Sequence, residues 1–231
     1  MTVLLGLKSI SELLKCPAAR IEWLGADERA RLEAMNHPQR RDQFRAGHAL
    51  ARELLTQQHG GHAKDWTLER GEHGEPRVLR HGLPSRAYLS IAHSGDQVFC
   101  AAASRPVGVD IEHARRERDW LALATALYPS EFVEHMEQLD AAGRQHHFLQ
   151  RWTLDEALAK AQGLGLRPKE LRTQVWSKAE GPAAQAWSWP RSGRWLALAC
   201  DGNFDSVSQF WWYGENEPDA SHLAWRWDQA G

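Results

Sequence analysis

The alternation of apolar and polar positions predicts a chain of interspersed strands and helices. Short apolar runs bounded by turn residues are typical of strands, and they cover residues 2–7, 66–70, 87–92, 98–103 and 106–112. Apolar positions at helical spacing predict helices over residues 28–33, 38–56 and most of 119–164, with breaks at Pro129 and Gly143. We also expect a turn at 93–96, strands over 172–213 and an irregular segment over 214–231.

A short internal repeat divides the chain in two. The pattern S-x-x-x-S-G followed by an apolar strand occurs at residues 90–95 and again at 188–193. Two similar halves would meet at an interface, where ligand sites are common. We therefore expect an α+β fold of two similar α/β halves related by pseudo-two-fold symmetry. Residues 1–105 would form the N-terminal half and residues 106–231 the C-terminal half.

Composition narrows the class of protein. The formal net charge is −2 and the basic residues are dispersed, which disfavours nucleic acid as a partner. No apolar stretch approaches the length needed to span a membrane. Cys16, Cys100 and Cys200 lie far apart, which argues against a disulfide framework and a metal–thiolate site. These features, and an apolar start without the marks of a signal peptide, predict a cytoplasmic protein.

Tryptophan is the unusual component, with 12 residues, most of them in the C-terminal part. Aromatic side chains bury large areas, which favours a tryptophan-rich core or a clamped tail. The alternative is a surface on which adenine or a partner protein stacks.

Two acidic residues lie at the end of a predicted strand. Asp110 and Glu112 are two positions apart and therefore point to the same face, while Val109 and Ile111 face the core. Like charges this close repel each other unless a cation neutralises them. The pair is either a cation site or two solvated acids at an exposed strand end.

A third acidic position lies in the helical region that follows. Thr153 is placed to be an N-cap with Glu156 at the capping-box position, and Gly163 and Gly165 end the helix. Glu156 and Lys160 are four residues apart and share one helix face. This is either an ordinary surface pair, worth roughly 0.2–0.5 kcal/mol, or part of a site.

Together the two segments have the composition of a metal–phosphate site. Asp110, Glu112 and Glu156 could hold one hard divalent cation such as Mg²⁺, which takes one or two carboxylates and binds substrate phosphates at other positions. Lys160 lies one turn beyond Glu156 and could reach the same phosphates. No Cys/His cluster accompanies these residues, which argues against a metal–thiolate or metal–imidazole site.

The order of several motifs resembles that of the phosphopantetheinyl transferases, in particular the larger, pseudo-dimeric class. The string G-V-D-I-E at 108–112 is followed by R-W-T-x-x-E-A-x-x-K at 151–160. Upstream, R-R-x-x-F-R-A-G-H-A-L at 40–50, G-E-x-G-x-P at 71–76 and S-I-A-H-S-G-D at 90–96 follow the family's order. The resemblance covers residues 38–166, and the combination of the two acidic motifs is its specific part.

The resemblance implies an activity and a metal. Such an enzyme transfers the 4′-phosphopantetheine group of coenzyme A to a serine of an apo acyl or peptidyl carrier protein and releases 3′,5′-ADP. Asp110, Glu112 and Glu156 would ligate Mg²⁺, and the protein would act as a monomer. Lys160 and the metal would stabilise the transferred charge, and either Glu156 or a water on the metal would take the serine proton.

The resemblance also implies contacts with coenzyme A. Lys160, His93 and Ser94 match the segments that meet its phosphates, and Arg41 and Arg45 match the region of its 3′-phosphate. The alternatives are a capped turn histidine for His93 and a solvated helix face for the arginines. Arg115, Arg116 and Arg118 follow the metal motif and are placed either to meet an acidic carrier or to form a solvated charge run.

The sequence departs from the family pattern at two charged positions. Glu75 replaces the lysine of the usual G-K-P turn, and Asp155 replaces the lysine of the usual K-E-A helix. Each reversal disfavours a polyanion unless the side chain points away. Asp155 is turned about 100° from Glu156 on the helix and is expected to face solvent.

The two charge reversals motivate one rival function, and the metal–phosphate composition motivates another. The first rival is a non-catalytic relative that binds a carrier or coenzyme A. The second is a metal-dependent hydrolase of nucleotide pyrophosphates, which would need no protein acceptor.

Overall fold

The computed structural model describes residues 2–113, 117–179, 183–201, 209–213 and 222–229, and there it shows a mixed α+β fold. The strands are β1 Thr2–Ser9, β2 Trp66–Arg70, β3 Pro76–Arg80, β4 Leu83–Pro84, β5 Tyr88–Ser94, β6 Gln97–Ala103, β7 Val107–His113, β8 Gln174–Lys178, β9 Ala186–Arg191, β10 Arg194–Cys200, β11 Gln209–Trp212 and β12 Leu223–Gln229. The helices are α1 Ile10–Leu13, α2 Ala26–Glu33, α3 Pro38–His59, α4 Trp120–Leu127, α5 Ser130–Glu137, α6 Ala141–Gln162 and α7 Pro168–Leu171.

The strands form three sheets in the described residues. The first has the order β11-β1-β6-β5, the second β7-β10-β9-β12-β8, and the third β2-β3-β4. Only β11 runs parallel to its neighbour, with Thr2 opposite Gln209 and Leu5 opposite Trp212. A strand from the C-terminal part of the chain therefore completes the sheet that the N-terminal part begins.

The first two sheets pack face to face, and a long helix covers the outer side of each. Alternation along β6 sends Phe99 and Ala101 to the shared core between the sheets and Val98 and Cys100 to the opposite side, under α3. Alternation along β7 likewise sends Val109 to the shared core. The strand period of two thus fixes which side chains of β7 face helix α6.

Helices α3 and α6 are both 22 residues long. Pro38 lies in the first turn of α3, where its missing N–H costs nothing. Asp140 caps α6 by accepting a hydrogen bond from the Gly143 backbone N–H at 2.7 Å. Gly163 ends α6 in the left-handed conformation, as the sequence predicted.

Four sequence predictions of local structure are wrong. Gly143 does not break the helical region, because it lies in the first capped turn of α6. Thr153 is not an N-cap: it lies inside α6 and donates its hydroxyl to the Leu149 carbonyl at 2.5 Å. Residues 93 and 94 belong to strand β5 rather than to a turn, and residues 223–229 form β12 instead of an irregular tail.

Most of the described tryptophans are buried or partly buried, as expected for a tryptophan-rich core. Trp187 and Trp189 of β9 are buried in the shared core. Trp225 of β12 donates its indole N–H to the Ser188 hydroxyl at 2.9 Å, which ties the C-terminal strand to the second sheet. Trp211, at 58% exposure, is the exposed exception among the described tryptophans with stated burial.

Cys100 and Cys200 are buried, free thiols. Among the described residues, no helix is both long and apolar enough to cross a membrane.

Candidate functional site

Helix α6 approaches strand β7 unusually closely at Gly108. A Cβ atom at this position would lie 1.9 Å from the Ala157 carbonyl oxygen and 2.5 Å from the Ala161 backbone nitrogen. Both neighbours are backbone atoms, so no side-chain rotation could make room. Glycine therefore permits the contact that sets the outward side chains of β7 beside those of α6.

The strand alternation turns Asp110 and Glu112 toward this helix. Asp110 is buried, and its Oδ1 accepts a hydrogen bond from the Lys160 ammonium at 2.7 Å. The same ammonium donates to the Val109 carbonyl at 3.2 Å. Lys160 therefore bridges α6 and β7, and Glu156 lies one helical turn before it on the same helix face.

The carboxylates of Asp110, Glu112 and Glu156 are partly shielded from solvent and repel one another. Burial raises the pKa of Glu112 to about 7, and the charges of Asp110 and Glu156 act in the same direction. Burial and the charge of Asp110 also raise the pKa of Glu156. Burial alone would lower the pKa of Lys160, but the ion pair with Asp110 and the other two carboxylates raise it.

One buried oxygen at this site, the Oδ2 atom of Asp110, has no hydrogen-bond partner among the described residues. A buried, unpaired carboxylate oxygen is costly unless a cation or water completes it. When all three carboxylates are ionised, they and the one ammonium leave two uncompensated negative charges, the charge that one divalent cation would neutralise. The donor set is oxygen only, which suits Mg²⁺.

The described residues do not contain a preformed group of three or more carboxylate, imidazole or thiolate side chains that could hold a metal ion. Ligation of Mg²⁺ by all three acids therefore stays a prediction. The observations that favour a cation are the unpaired Asp110 oxygen and the excess negative charge.

A cleft of two adjoining cavities runs past this site. One cavity, of about 570 Å³, takes His93 and Ser94 from β5 and Glu112 and His113 from β7. Its other wall is apolar and belongs to α4 and α6, with lining residues Trp120, Leu123, Leu127, Phe148, Leu149 and Trp152. Residues from before and after the predicted boundary at residue 105 thus line one cavity.

The second cavity, of about 450 Å³, lies under helix α3. Arg31 and Arg40 contribute positive charge to its lining, and His48 and Phe44 contribute aromatic surface. Both cavities share Gln43 and His93, so they form one continuous cleft. We define this second cavity as the basic cavity and the first as the acidic cavity.

The predicted arginines have contacts of their own. The Arg41 guanidinium donates to the Leu32 carbonyl at 2.6 Å and so satisfies the C-terminal end of α2. Arg45 donates to the Ala19 carbonyl at 3.4 Å. Arg31 and Arg40 could not be identified from the sequence as residues that line the cavity. Arg31 belongs to a separate short helix, and Arg40 could not be distinguished from the neighbouring arginines.

Glu75 does not bring negative charge into the basic cavity. Its carboxylate accepts a hydrogen bond from the His73 backbone N–H at 3.0 Å within the β2–β3 turn. It lines a groove on another side of this hairpin, together with Arg77 and Tyr88. The Glu75 side chain is therefore not among those that line the basic cavity.

Asp155 does not face solvent, and that prediction is wrong. It is 2% exposed, and the Arg151 guanidinium donates to it at 2.9 Å from one turn earlier on α6. The indole N–H of Trp176 donates to the same carboxylate at 2.7 Å. Arg151 thus compensates the negative charge, which does not act on the cleft as a free charge.

Replacing Gly108 by alanine should cost about 1–3 kcal/mol in the free energy of unfolding and reduce activity, because the added methyl group pushes α6 away from β7. The measurements are denaturant unfolding and an activity assay. Gly6→Ala is the matched control, since Gly6 lines neither cavity and its Cβ would meet flexible side-chain atoms of helix α3, the Leu50 Cδ1 at 3.0 Å and the Leu54 Cδ2 at 3.2 Å. A Gly108→Ala protein as stable and active as the wild type would contradict the role of this contact.

Comparisons with known proteins agree with this geometry. The 4′-phosphopantetheinyl transferase superfamily matches residues 106–191, the segment that carries Asp110, Glu112, Glu156 and Lys160. The chain is 28% identical to the 4′-phosphopantetheinyl transferase HetI of Nostoc sp., over 82% of this chain and 83% of that protein.

Two Bacillus proteins are similar over shorter stretches. The 4′-phosphopantetheinyl transferase Sfp of Bacillus subtilis is 25% identical over 63% of each chain. The 4′-phosphopantetheinyl transferase psf-1 of Bacillus pumilus is 27% identical over 52% of this chain and 49% of its own length. The match therefore spans less than two thirds of the length of these two relatives.

The carboxylates and the lysine described above lie where helix α6 packs on strand β7, within the segment that this superfamily matches. By these matches the chain is similar to the 4′-phosphopantetheinyl transferases, and its residues 106–191 match that superfamily.

Proposed function

We propose that this protein transfers the 4′-phosphopantetheine arm of coenzyme A to a serine of an apo carrier protein in a Mg²⁺-dependent reaction, with release of 3′,5′-ADP. The observation that carries the proposal is the site between β7 and α6. It combines an excess of two negative charges, an unpaired buried Asp110 oxygen and a lysine on the same helix face as Glu156.

The metal would be held by Asp110, Glu112 and Glu156, and when bound it would polarise the pyrophosphate of coenzyme A as a Lewis acid. Lys160 places a positive charge beside the same position and would stabilise the charge that builds up on the phosphate oxygens. The raised pKa of Glu156 suits a group that accepts the serine proton.

The cleft offers a matching place for each part of coenzyme A. The basic cavity, with Arg31 and Arg40, suits the phosphorylated nucleotide. His93 and Ser94 of β5 line the acidic cavity together with Glu112, which suits the pyrophosphate. The apolar wall of the acidic cavity suits the pantetheine arm, because it is lined by large side chains of α4 and α6.

The acidic cavity is also where a carrier serine would enter. Arg118 is exposed beside the cavity, with its guanidinium 6.0 Å from the centre of the Trp120 ring. A positive group at the rim would steer an acidic carrier toward the site. Arg115 and Arg116, the other members of this predicted docking group, lie outside the described residues.

The proposal includes two halves related by pseudo-two-fold symmetry. The hairpins β5–β6 and β9–β10 have similar lengths, and each is covered by a helix of 22 residues. Asp96 and Arg194, 98 residues apart, follow the two copies of the repeat and form an ion pair of 3.0 Å. These features support a division near residue 105, although β11 joins the sheet of the first half.

Incubation of an apo carrier protein with coenzyme A, Mg²⁺ and this protein should increase the carrier mass by one phosphopantetheine group. Removal of divalent metal with a chelator should abolish the increase, and added Mg²⁺ should restore it. Intact-protein mass spectrometry on a panel of acyl and peptidyl carriers measures both effects.

Other outcomes of the same experiment would contradict the proposal. Breakdown of coenzyme A without any carrier would point to a pyrophosphate hydrolase. Unmodified carriers across the panel, together with binding of coenzyme A or a carrier, would point to a non-catalytic relative.

A further inference from the structure

A buried cluster of Glu28, His48 and Arg52 lies directly behind the wall of the basic cavity. Glu28 and Arg52 are fully buried, and the Arg52 Nη2 atom donates to both Glu28 oxygens at 2.6 and 2.7 Å. Glu28 also accepts the Gly25 backbone N–H at 2.8 Å and lies 2.5 Å from the His48 Nδ1 atom. The cluster ties α2 to α3.

This arrangement fixes the tautomer of His48. An ionised carboxylate can only accept a hydrogen bond, so the His48 Nδ1 atom must carry the proton. Arg52 already compensates the charge of Glu28, and a second buried positive charge beside Arg31 would be unfavourable. Burial lowers the pKa of His48, which agrees with a neutral ring. The Nε2 atom is then a bare hydrogen-bond acceptor.

His48 nevertheless reaches the cavity. Its side chain is 9% exposed, and the ring lines the basic cavity together with Arg31 and Arg40. The Phe44 ring lies against it at a centroid distance of 3.9 Å, and the Arg31 guanidinium lies over the Phe44 ring at 5.0 Å. These contacts hold the imidazole in one orientation. The Nε2 atom is not one of the buried atoms without a hydrogen-bond partner, so it is accessible from the cavity.

We propose that His48 is a nucleoside-binding residue of the cleft, whose Nε2 atom accepts a hydrogen bond from the adenosine part of the nucleotide substrate, with Glu28 as its positioning residue. The donor would be the amino group of the base or a ribose hydroxyl, since both are neutral donors. This inference rests on the proposed function for the choice of nucleotide. His48 lies in the motif of residues 40–50, but nothing in the sequence distinguishes it from its neighbours there.

Two variants separate the two ring nitrogens. In His48→Asn, the amide can replace the Nδ1–H that donates to Glu28, but nothing replaces the Nε2 acceptor. In His48→Gln, the longer side chain can carry an acceptor to the Nε2 position. His48→Leu removes both groups and leaves Glu28 with its bonds from Arg52 and Gly25, which keeps a testable variant if the Asn variant does not fold.

The test is calorimetric binding of three probes: adenosine 3′,5′-bisphosphate, inosine 3′,5′-bisphosphate and 2′-deoxyadenosine 3′,5′-bisphosphate. We expect His48→Asn and His48→Leu to bind the adenosine probe about fivefold to tenfold more weakly, the size of one hydrogen bond, and His48→Gln to keep most of the affinity. One of the two analogues should bind the wild type more weakly than the adenosine probe does, by a similar factor. The same analogue should bind His48→Asn as strongly as the adenosine probe binds that variant. That analogue identifies the donor.

Equal affinity of wild type and His48→Asn for the adenosine probe would overturn the inference. Penalties for both analogues that persist unchanged in His48→Asn would overturn it as well, as would failure of the wild type to bind the adenosine probe. His48-dependent binding without any carrier modification would refute the proposed function and leave this inference standing. Carrier modification together with binding that does not depend on His48 would support the proposed function and refute this inference.

Discussion

Replacing Glu156 by glutamine should reduce phosphopantetheine transfer by about a thousandfold or more, while the protein stays folded. Both roles proposed for this side chain, metal ligand and proton acceptor, require an ionised carboxylate. Glutamine has nearly the same shape but removes the charge. Because burial and Asp110 already disfavour that charge, its loss should not reduce the free energy of unfolding. Single-turnover transfer to a carrier and thermal unfolding measure the two quantities.

Glu134→Gln is the matched control for this substitution. Glu134 lies exposed on α5, so the same chemical change there should leave transfer unchanged. Turnover of Glu156→Gln at the wild-type rate would exclude both assigned roles. A similar loss of activity in Glu134→Gln would show that the effect is not specific to the site.

Replacing Asp155 by leucine should reduce the free energy of unfolding by about 3–5 kcal/mol, because it leaves the Arg151 guanidinium buried without its carboxylate. Arg151 is 8% exposed and also donates to the Gln174 carbonyl at 2.5 Å. The Trp176 indole N–H would lose its acceptor at the same time. Chemical denaturation measured by tryptophan fluorescence gives the difference.

The double variant Arg151→Met, Asp155→Leu tests the reason for that loss. An apolar pair of similar volume needs no charge compensation, so it should recover much of the stability lost in Asp155→Leu. If the double variant is less stable than the single one, the buried charge is not the cause. A loss under about 1 kcal/mol in Asp155→Leu would show that the pair is solvated.

The local geometry of the site could be predicted where it depends on chain period alone. A strand places Asp110 and Glu112 on one face, and a helix places Glu156 and Lys160 on one face, whatever surrounds them. Helix starts were less predictable. Thr153 and Glu156 satisfy a capping-box pattern, but an earlier cap at Asp140 extends the helix through them.

The misjudged position of Asp155 has a different cause. Its helical angle from Glu156 was correct, but the residue faces a second packed surface rather than solvent. That surface includes Trp176 of β8, which follows far along the chain and gives no local signal. The Glu28–His48–Arg52 cluster was missed for the same reason, since its acid and its imidazole are 20 residues apart and belong to different helices.

The pairing of β1 with β11 affects how the chain folds during synthesis. During synthesis the outer edge of the first strand stays uncovered until residues 209–212 have left the ribosome. An open strand edge is a template for association with other chains, so nascent protein passes through a stage in which it needs protection. For the same reason, an N-terminal fragment ending near residue 105 should aggregate rather than fold as a soluble unit.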